Sequence, residues 1–447
     1  MNHHMASASP HRRLAYVLAI GAALLLALMP TQQVRAQETV VTFWNVWGGT
    51  RAPILRALLD EFEAQNPGIR VENVTLDGQT SMQRMLTAIA GGQPPDLYMT
   101  GSRDLAMWAD LGAFMPLDAY VERDGLDLSE YLFEPTIAGS MHDGELIQLP
   151  FKITSSMLIW FNKDHFEAAG LDPENPPTTW AEFQDAAQAL TIVDGDVIEQ
   201  LGFNICIQCT VGPEDAFVEW LSRNGGRIVT EDNSDIAFDD ERGIETLTWM
   251  VEFMNETTGG WDRMVQQFGS NWTDQRPAFY AGRISMHHDG PWFLDILRQD
   301  APDMLDNVGV FLAPYNAENP DATFRYLAHG TPGYAIPRGA SNPDAAWELL
   351  KFITLAEDGA CEFFLQQART DTPLIDCQDP NLADANPFAD VFDANVDLIE
   401  SINPPPTYAQ IARRLLDMQE SALLGNETPE EAIRRAAEDL RRVMADQ

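Results

Sequence analysis

A chain of 447 residues with 45% apolar residues is too long for one compact core and predicts two domains of ordinary size. Its 28 basic and 68 acidic residues give a formal net charge of −40, a field that repels nucleic acid and anionic membrane surfaces. We therefore expect an acidic globular protein that has no nucleic-acid partner.

The first 36 residues have the pattern of an export signal. Arg12 and Arg13 precede an uncharged apolar run at 14–28, and Val34-Arg35-Ala36 has the small-x-small form of a cleavage site before Gln37. The run is shorter than a membrane span requires. No Cys lies near this site, so we expect a soluble periplasmic or secreted protein without a lipid anchor.

Four cysteines in an exported chain favour disulfides. The local pairings are Cys206 with Cys209 and Cys361 with Cys377, and the sequence leaves the other two connectivities open. None of the eight His residues falls at a spacing that would complete a zinc site, so we expect no metal and no other cofactor.

The first part of the mature chain alternates strands and helices. Strand patterns at 40–46, 69–74 and 96–99 are separated by a helix that begins near Pro53 and by a Met-rich helix at 82–89. This order is typical of a parallel sheet, in which ligands sit at the carboxyl ends of the strands. The two strand ends, 47–49 and 100–103, are therefore expected at a cleft.

Residues 146–171 have the pattern of a hinge. A short apolar strand ends at Pro150, the polar residues Lys152, Thr154, Ser155 and Ser156 follow, and a second apolar run at 157–161 leads into a helix. Two strands joined by a hydroxyl-rich segment predict a chain that leaves one domain and enters another.

The later helices have clear start signals. Thr179 and Glu182 form a capping box, Thr428 and Glu431 form another, and further helices are expected at 215–222, at 241–256 and after Pro343. Short apolar runs at 308–311 and 334–336 are expected to be further crossings between the lobes.

Three segments resemble one known family. They are PF at 150–151 with LIWFNKDHFEAAGL at 158–171, PPTTWAEFQDAAQAL at 176–190, and GRISMHHDGPWFLDIL at 282–297. These sequences resemble those of the family 1 extracellular solute-binding proteins, of which the maltodextrin-binding proteins are best known. The resemblance extends over residues 43–444.

The resemblance implies an α/β fold of the type II-like periplasmic-binding-protein class, with two lobes of mixed sheet and flanking helices joined by a multi-strand hinge. It implies a first lobe of 38–150 and 312–335 and a second of 151–311 and 336–447. It further implies a monomeric, non-catalytic, extracytoplasmic subunit of an ABC importer. Such a subunit captures a sugar or oligosaccharide in the interlobe cleft and delivers it to a membrane permease.

Aromatic candidates for such a site follow from sugar chemistry, because a sugar offers a C–H face for stacking and a rim of hydroxyls. Trp292 stands in the Gly-Pro-Trp segment, whose Trp stacks on a sugar ring in the family. Trp47 and Trp272 follow a strand end and a loop. Trp44 and Trp160 lie inside apolar runs and are expected to pack in the core.

Polar candidates lie beside these positions. Arg103 and Asp104 stand in reverse order to the Asp-Arg pair of maltodextrin-binding relatives. Lys152 replaces a carboxylate that contacts the ligand in such relatives, and Asp289 precedes Gly-Pro-Trp. The remaining candidates are Thr100, Ser102, Thr154, Thr331 and Arg369.

Two alternatives stay open. The same scaffold could hold a glycerol phosphodiester, a polyol or a polyamine, and Lys152, Arg103 and Arg369 could form a local anion site. An exported glycoside hydrolase is less favoured, since the chain has no Gly-x-Ser-x-Gly, His-Glu-x-x-His or phosphate-binding loop. His287 and His288, adjacent in a strand, point to opposite faces and do not suit one metal ion.

Overall fold

The computed structural model describes residues 38–78, 80–101, 103–153, 157–205, 207, 215–367, 372–375, 377, 386–402 and 405–445. The strands, in chain order, are β1 (Thr39–Asn45), β2 (Ile69–Thr75), β3 (Leu97–Thr100), β4 (Met141–His142), β5 (Glu145–Leu146), β6 (Leu149–Pro150), β7 (Leu158–Asn162), β8 (Ile192–Asp194), β9 (Val197–Gln200), β10 (Met286–Asp289), β11 (Val308–Leu312), β12 (Tyr326–His329), β13 (Gly333–Ala335) and β14 (Ile399–Ile402).

The α-helices span Arg51–Gln65, Ser81–Ala90, Leu105–Asp110, Asp118–Asp124, Glu134–Ala138, Lys163–Ala168, Trp180–Leu190, Asp215–Arg223, Glu241–Thr258, Trp261–Phe268, Trp272–Tyr280, Phe293–Asp300, Pro343–Leu355, Glu362–Leu365, Ala389–Asp397, Tyr408–Leu423 and Pro429–Ala445. Short 3-10 turns lie at Leu128–Glu130 and Pro302–Asn307, and a π-helical turn at Glu357–Cys361. In the described part of the chain, no helix combines the length and the apolar composition that a membrane crossing needs.

A five-stranded mixed sheet, in the order β2-β1-β3-β13-β6, organises the first lobe. β1 and β3 are parallel, and β13 runs antiparallel to both β3 and β6. Side chains alternate between the two faces as the strand period requires. Phe43 and Leu97 enter one core, and Trp44 and Tyr98 belong to a smaller core on the other face.

A three-stranded antiparallel sheet, in the order β10-β7-β11, organises the second lobe. β7 lies at its centre, and Trp160 on this strand is fully buried, as the sequence predicts. The helices Trp180–Leu190, Glu241–Thr258 and Pro429–Ala445 contribute apolar faces to the same core. Two α/β layers with separate cores confirm the two-lobe fold class.

Local start signals in the sequence were reliable guides to the helices. The Thr179 side chain accepts a hydrogen bond from Glu182 N, and the Glu182 carboxylate accepts from Thr179 N, which completes the predicted capping box. Asn162 caps the helix after the hinge by accepting from His165 N at 3.1 Å. Each cap satisfies backbone donors that the first turn leaves unpaired.

Within the described residues the chain passes between the two cores three times. The passages lie between β6 and β7, between β12 and β13, and between 377 and 388, where Cys377 packs on the first core and Phe388 on the second. The runs at 308–311 and 334–336 are therefore strands of different sheets, β11 and β13, and the crossing falls between them.

Core membership differs from the expected lobe boundaries in two segments. Trp347 and Leu350, expected in the second lobe, pack in the core of the five-stranded sheet, whereas Tyr326 and Ala328, expected in the first lobe, pack in the other core. The helix Pro343–Leu355 packs onto the sheet that the preceding strand has just joined, and sequence periodicity does not specify that choice. We propose a first lobe of 38–151 and 333–377 and a second of 157–329 and 386–445.

A buried amide ties the second lobe together. Asn224, in the Asn-Gly-Gly segment after the helix Asp215–Arg223, donates to Arg242 O at 3.1 Å and accepts from the Nδ2 atoms of Asn316 and Asn319 at 3.0 and 3.1 Å. Its side chain is fully buried. These bonds join two helices and the 316–321 loop.

The structure forms one of the two predicted local disulfides. Cys361 and Cys377 are bonded, with Cα atoms 5.3 Å apart. Cys206 and Cys209 lie outside the described residues, so their pairing stays a prediction.

Candidate functional site

The edges of the two sheets meet at the crossings. On the first sheet, Gly333 pairs with both Thr100 and Pro150, so the ends of β3 and β6 and the start of β13 lie on one edge. On the second sheet, Leu158 pairs with both Asp289 and Leu312. The first crossing leaves one edge at Pro150 and reaches the other at Leu158, so residues at these two edges can act together.

Lys152 and Trp292 are brought together at this junction. The Lys152 ammonium lies 4.9 Å from the centroid of the Trp292 ring. Both side chains are half-buried. Lys152 belongs to the crossing itself and Trp292 to the turn after β10, so two residues from separate predicted motifs form one cation–π contact.

The carboxylate of Asp289 is used internally, which corrects its predicted role as a ligand for sugar hydroxyls. It is fully buried and accepts hydrogen bonds from Arg276 Nε at 2.8 Å, from Gly290 N at 2.8 Å and from His287 Nε2 at 3.2 Å. Burial alone would raise the pKa of Asp289, but the His287 hydrogen bond and the Arg276 charge outweigh it and hold that pKa below its ordinary value. Its acceptor sites therefore serve the protein.

Thr100 and Thr331 belong to a buried polar cluster at the first sheet edge. Thr100 Oγ1 donates to Gly333 O at 2.8 Å and also contacts the Gln148 side chain, and Gln148 Nε2 donates to Thr331 O at 2.7 Å. Thr100, Gln148 and Thr331 are all buried. This arrangement positions the strands at the crossing, and any contact of Thr331 with a ligand stays a prediction.

Arg103 and Asp104 follow β3 at the same edge and are half-buried. The Asp104 carboxylate folds over Gly101, where an added Cβ would lie 2.8 Å from its Oδ2. Burial raises the pKa of Asp104 above its ordinary value, and the Arg103 charge offsets only part of that rise. The pair thus lies at a predicted cleft position with a perturbed carboxyl group.

Trp47 lies in the first core, away from the predicted stacking position. It is 3% exposed, its Nε1 donates to Tyr334 Oη at 2.7 Å, and its ring packs against Phe151 and Phe363. The sequence placed Trp47 at a strand tip, but the chain turns there and folds the indole inward. In this conformation the ring face is not available to a ligand.

Ser102, Thr154 and Arg369 lie outside the described residues, and their roles stay predictions. Trp272 begins the helix Trp272–Tyr280, which Asn271 caps, and its side chain is not among the described parts. Trp44 is half-buried beneath Arg84, whose guanidinium carbon lies 5.7 Å from the ring centroid.

The His pair does not form a metal centre with its neighbours. Among the described residues, no group of three or more His, Cys, Asp or Glu side chains is placed to hold a metal ion. Burial lowers the pKa of His288 to about 3, so its ring is neutral near pH 7. His287 serves Asp289 instead.

A second interlobe feature is a cavity of about 650 Å³ with lining from both lobes. Asp110 and His142 line one side, with His142 Nε2 2.9 Å from Asp110 Oδ1, and Ser234 and Thr407 line the other. None of the described candidate residues lines this cavity.

Sequence reasoning missed Arg276 and Gln148. Arg276 lies 13 residues before its partner Asp289, and Gln148 lies inside an apolar run, so neither forms a motif. A signal for Gln148 was its polarity in a strand-like segment, because a buried amide there needs partners.

The protein has two α/β lobes linked by repeated chain crossings. An aromatic ring and a cation lie where the two sheet edges meet, and these features define a two-lobe binding protein. The model of the bacterial extracellular solute-binding protein family matches residues 48–360, which is more than half of the chain. The chain belongs to this family, whose members are the solute-capturing components of ABC importers.

Relatives and solved structures agree with this membership. The sn-glycerol-3-phosphate-binding periplasmic protein UgpB of Pectobacterium atrosepticum is 25% identical over 438 residues, which is 90% of each chain. UgpB of Escherichia coli strain K12 is 27% identical over 67% of this chain and 66% of that protein.

An ABC transporter solute-binding protein from Thermotoga lettingae with bound alpha-D-tagatose superposes with a TM-score of 0.76, at 24% identity over 91% of this chain and 100% of that chain. A substrate-binding protein from Listeria monocytogenes in complex with cycloalternan gives a TM-score of 0.76 at 21% identity, over 91% and 99%. At these identities the two structures support the fold.

Proposed function

We propose that this protein captures a sugar or short oligosaccharide between its lobes and delivers it to the membrane permease of an ABC importer. The observation that carries the proposal is the meeting of Lys152 and Trp292 at the junction of the two sheet edges. Solved relatives with bound saccharides are compatible with it.

The Trp292 ring suits the apolar face of a sugar. An indole offers a flat surface with little conformational freedom to lose, and stacking adds to the burial of its area. Because Lys152 already lies over this ring, a stacked solute must share the ring or displace the ammonium. A displaced Lys152 keeps three N–H donors that can reach solute hydroxyls.

Binding at this junction favours lobe closure. Lys152 follows the first sheet and Trp292 follows the second, so a solute at this junction contacts both lobes and favours the closed arrangement, in which the contacts from both lobes are complete. The closed shape is then what a permease can recognise. We propose that this step involves no chemical change in the solute.

A second candidate ligand is a glycerol phosphate or its diester. The Lys152 ammonium at the junction is suited to a phosphoryl group, to which lysine binds as a point charge. Curated relatives are named for binding sn-glycerol 3-phosphate. The net charge of −40 opposes anions at long range, so such a site would depend on close contacts. A neutral polyol or a polyamine is compatible with the same charge.

The proposal is tested on the mature chain from Gln37 with a thermal-shift and calorimetric panel of saccharides, polyols, glycerol 3-phosphate, glycerophosphodiesters and polyamines, because a ligand of the folded state raises the melting temperature. Trp292→Leu should weaken a saccharide about tenfold. The matched Trp249→Leu, in a helix of the second lobe, should not. Saccharide binding that Trp292→Leu leaves unchanged would refute the stacking role.

Lys152→Met separates the two ligand classes. It should weaken binding of a phosphorylated ligand by about ten- to a hundredfold and change the affinity for a neutral sugar only several-fold, since a hydrogen bond to a charged group contributes about 1.5–3 kcal/mol and a neutral one about 0.5–1.5 kcal/mol. A panel in which only phosphorylated compounds bind would replace the sugar proposal with the second candidate.

Further proposals concern the form of the protein. We propose that residues 1–36 are a cleaved signal peptide, that the protein carries no lipid anchor, that it is monomeric and that it does not bind nucleic acid. The intact mass of the exported protein and its size in solution test the first three, and a gel-shift assay tests the last. A chromogenic glycoside should bind without turnover, because we propose no enzymatic activity.

A further inference from the structure

Arg276 reaches both sides of the turn that carries Trp292. From the helix Trp272–Tyr280, its Nε and Nη2 donate to the two carboxylate oxygens of Asp289 at 2.8 and 3.2 Å. Its guanidinium carbon lies 5.7 Å from the ring centroid of Phe293. Asp289 precedes the Gly290–Trp292 turn and Phe293 follows it.

The buried Asp289 carboxylate links Arg276 to the backbone of the turn. Its Oδ1 accepts from Gly290 N at 2.8 Å while it also accepts from Arg276, so the peptide that leads to Trp292 is bonded to a fixed group. The Trp160 Nε1 donates to the carbonyl oxygen of Asp289 at 3.2 Å and so restrains the backbone of the same residue. A carboxylate with this many donors has little freedom to shift.

The indole of Trp292 in turn lies directly on Gly290. A Cβ built on Gly290 would come within 2.3 Å of Cη2 and 2.4 Å of Cζ3 of Trp292. No side chain therefore separates the ring from the backbone of Gly290, and the two are in direct contact.

We propose that Arg276 is a positioning residue for solute binding, which sets the plane of the Trp292 ring through Asp289 and Gly290 and does not touch the solute. This inference rests on the proposed function, in which Trp292 contacts the solute. Residues that hold a contact group in place matter because a binding surface displaced by a fraction of an ångström loses its fit.

The first test needs no ligand. The protein is labelled with 5-fluorotryptophan, and Trp292→Phe assigns the Trp292 fluorine resonance. Arg276→Met should shift or broaden this resonance, and Arg276→Lys should move it less because one donor returns. The control is Arg298→Met, which removes a half-buried arginine whose Nη1 lies 3.4 Å from Asp295 Oδ1 in the helix after Trp292. An unmoved Trp292 resonance in Arg276→Met would overturn the inference.

The second test is a double-mutant cycle on solute affinity, with the saccharide or phosphorylated compound of the panel that binds most tightly as probe. Arg276→Met should weaken binding about tenfold in the wild-type background and have almost no effect in the Trp292→Leu background. Arg298→Met should leave affinity unchanged in both. An equal loss in both backgrounds would overturn the inference, because Arg276 would then act independently of the ring.

The two tests separate this inference from the proposed function. If Trp292→Leu leaves affinity unchanged, the stacking role of Trp292 fails and the inference fails with it, even where the fluorine resonance responds to Arg276→Met. If Trp292→Leu weakens binding and Arg276→Met does not, the proposed function stands and the positioning role is refuted.

Discussion

Replacement of Asn224 by Ala should destabilise the second lobe strongly. The side chain is fully buried. Its Nδ2 lies within hydrogen-bond distance of Arg242 O, Glu245 Oε2 and Thr246 Oγ1, and its Oδ1 accepts from the Nδ2 atoms of Asn316 and Asn319. The substitution removes all of these at once, and water does not reach the vacated site freely.

The size of the stability loss depends on which buried partner groups lose their hydrogen bond. Asn319 Nδ2 keeps a bond to Asn224 O at 2.7 Å, Thr246 Oγ1 keeps its own bond to Arg242 O, and the exposed Glu245 carboxylate can bond to water. The Asn316 amide, which is 5% exposed, loses its acceptor. The Asn316 amide is then unsatisfied, and the Arg242 carbonyl has one donor fewer. At about 1–3 kcal/mol for each unsatisfied buried group, these changes give a loss of roughly 2–5 kcal/mol.

Equilibrium unfolding in urea, followed by far-UV circular dichroism, measures this loss. Asn175→Ala is the control, because Asn175 is exposed and bonds only locally to Asp172 at 2.6 Å, and it should change stability by less than about 0.5 kcal/mol. A loss below about 1 kcal/mol for Asn224→Ala would refute the reasoning that this amide joins the two helices and the loop.

Three further outcomes are expected. Asp289→Asn should lower stability between pH 5 and 7, and the difference from wild type should begin to shrink below about pH 4. A carboxyl whose folded pKa is depressed stabilises the protein above its unfolded pKa and loses that effect as pH falls through the folded one. Urea titrations at stepped pH measure the gap, and a constant gap would contradict this. Replacing both Cys361 and Cys377 by Ser should cost about 3 kcal/mol, as expected for a closed loop of this length, and non-reducing peptide mapping should recover the linked pair. Trp47→Phe should cost about 1–2 kcal/mol by stranding Tyr334 Oη and leave solute affinity within about twofold; a large affinity loss would return Trp47 to the site.

Several features were predictable from the sequence because they depend on neighbours along the chain. Periodic apolar residues and the capping box at Thr179 predicted the helix Trp180–Leu190, and the all-apolar run around Trp160 predicted a buried strand. The sequence around Gly290-Pro291-Trp292 indicated the family.

The candidate site was predictable only in part. Lys152 and Trp292 were each named from the sequence, one from the hinge and one from a motif, but their adjacency follows from how β7 pairs with β10. The sequence suggested Asp289 as a solute ligand, whereas its carboxylate binds other residues of the protein. A carboxylate before Gly-Pro-Trp looks like a solute ligand until Arg276 and His287 are seen to occupy it.

The sequence by itself determined many of the helices and strands, the segment that links the two lobes, and the family, because helix periods, caps and strand patterns are set by residues within a few positions of each other. The tertiary structure alone decided which core received the helix Pro343–Leu355, that Trp47 folds inward against Tyr334, and that Arg276 lies behind Trp292. Those outcomes depend on pairing between distant segments, where burial and charge satisfaction in three dimensions select one arrangement among many that the local pattern permits.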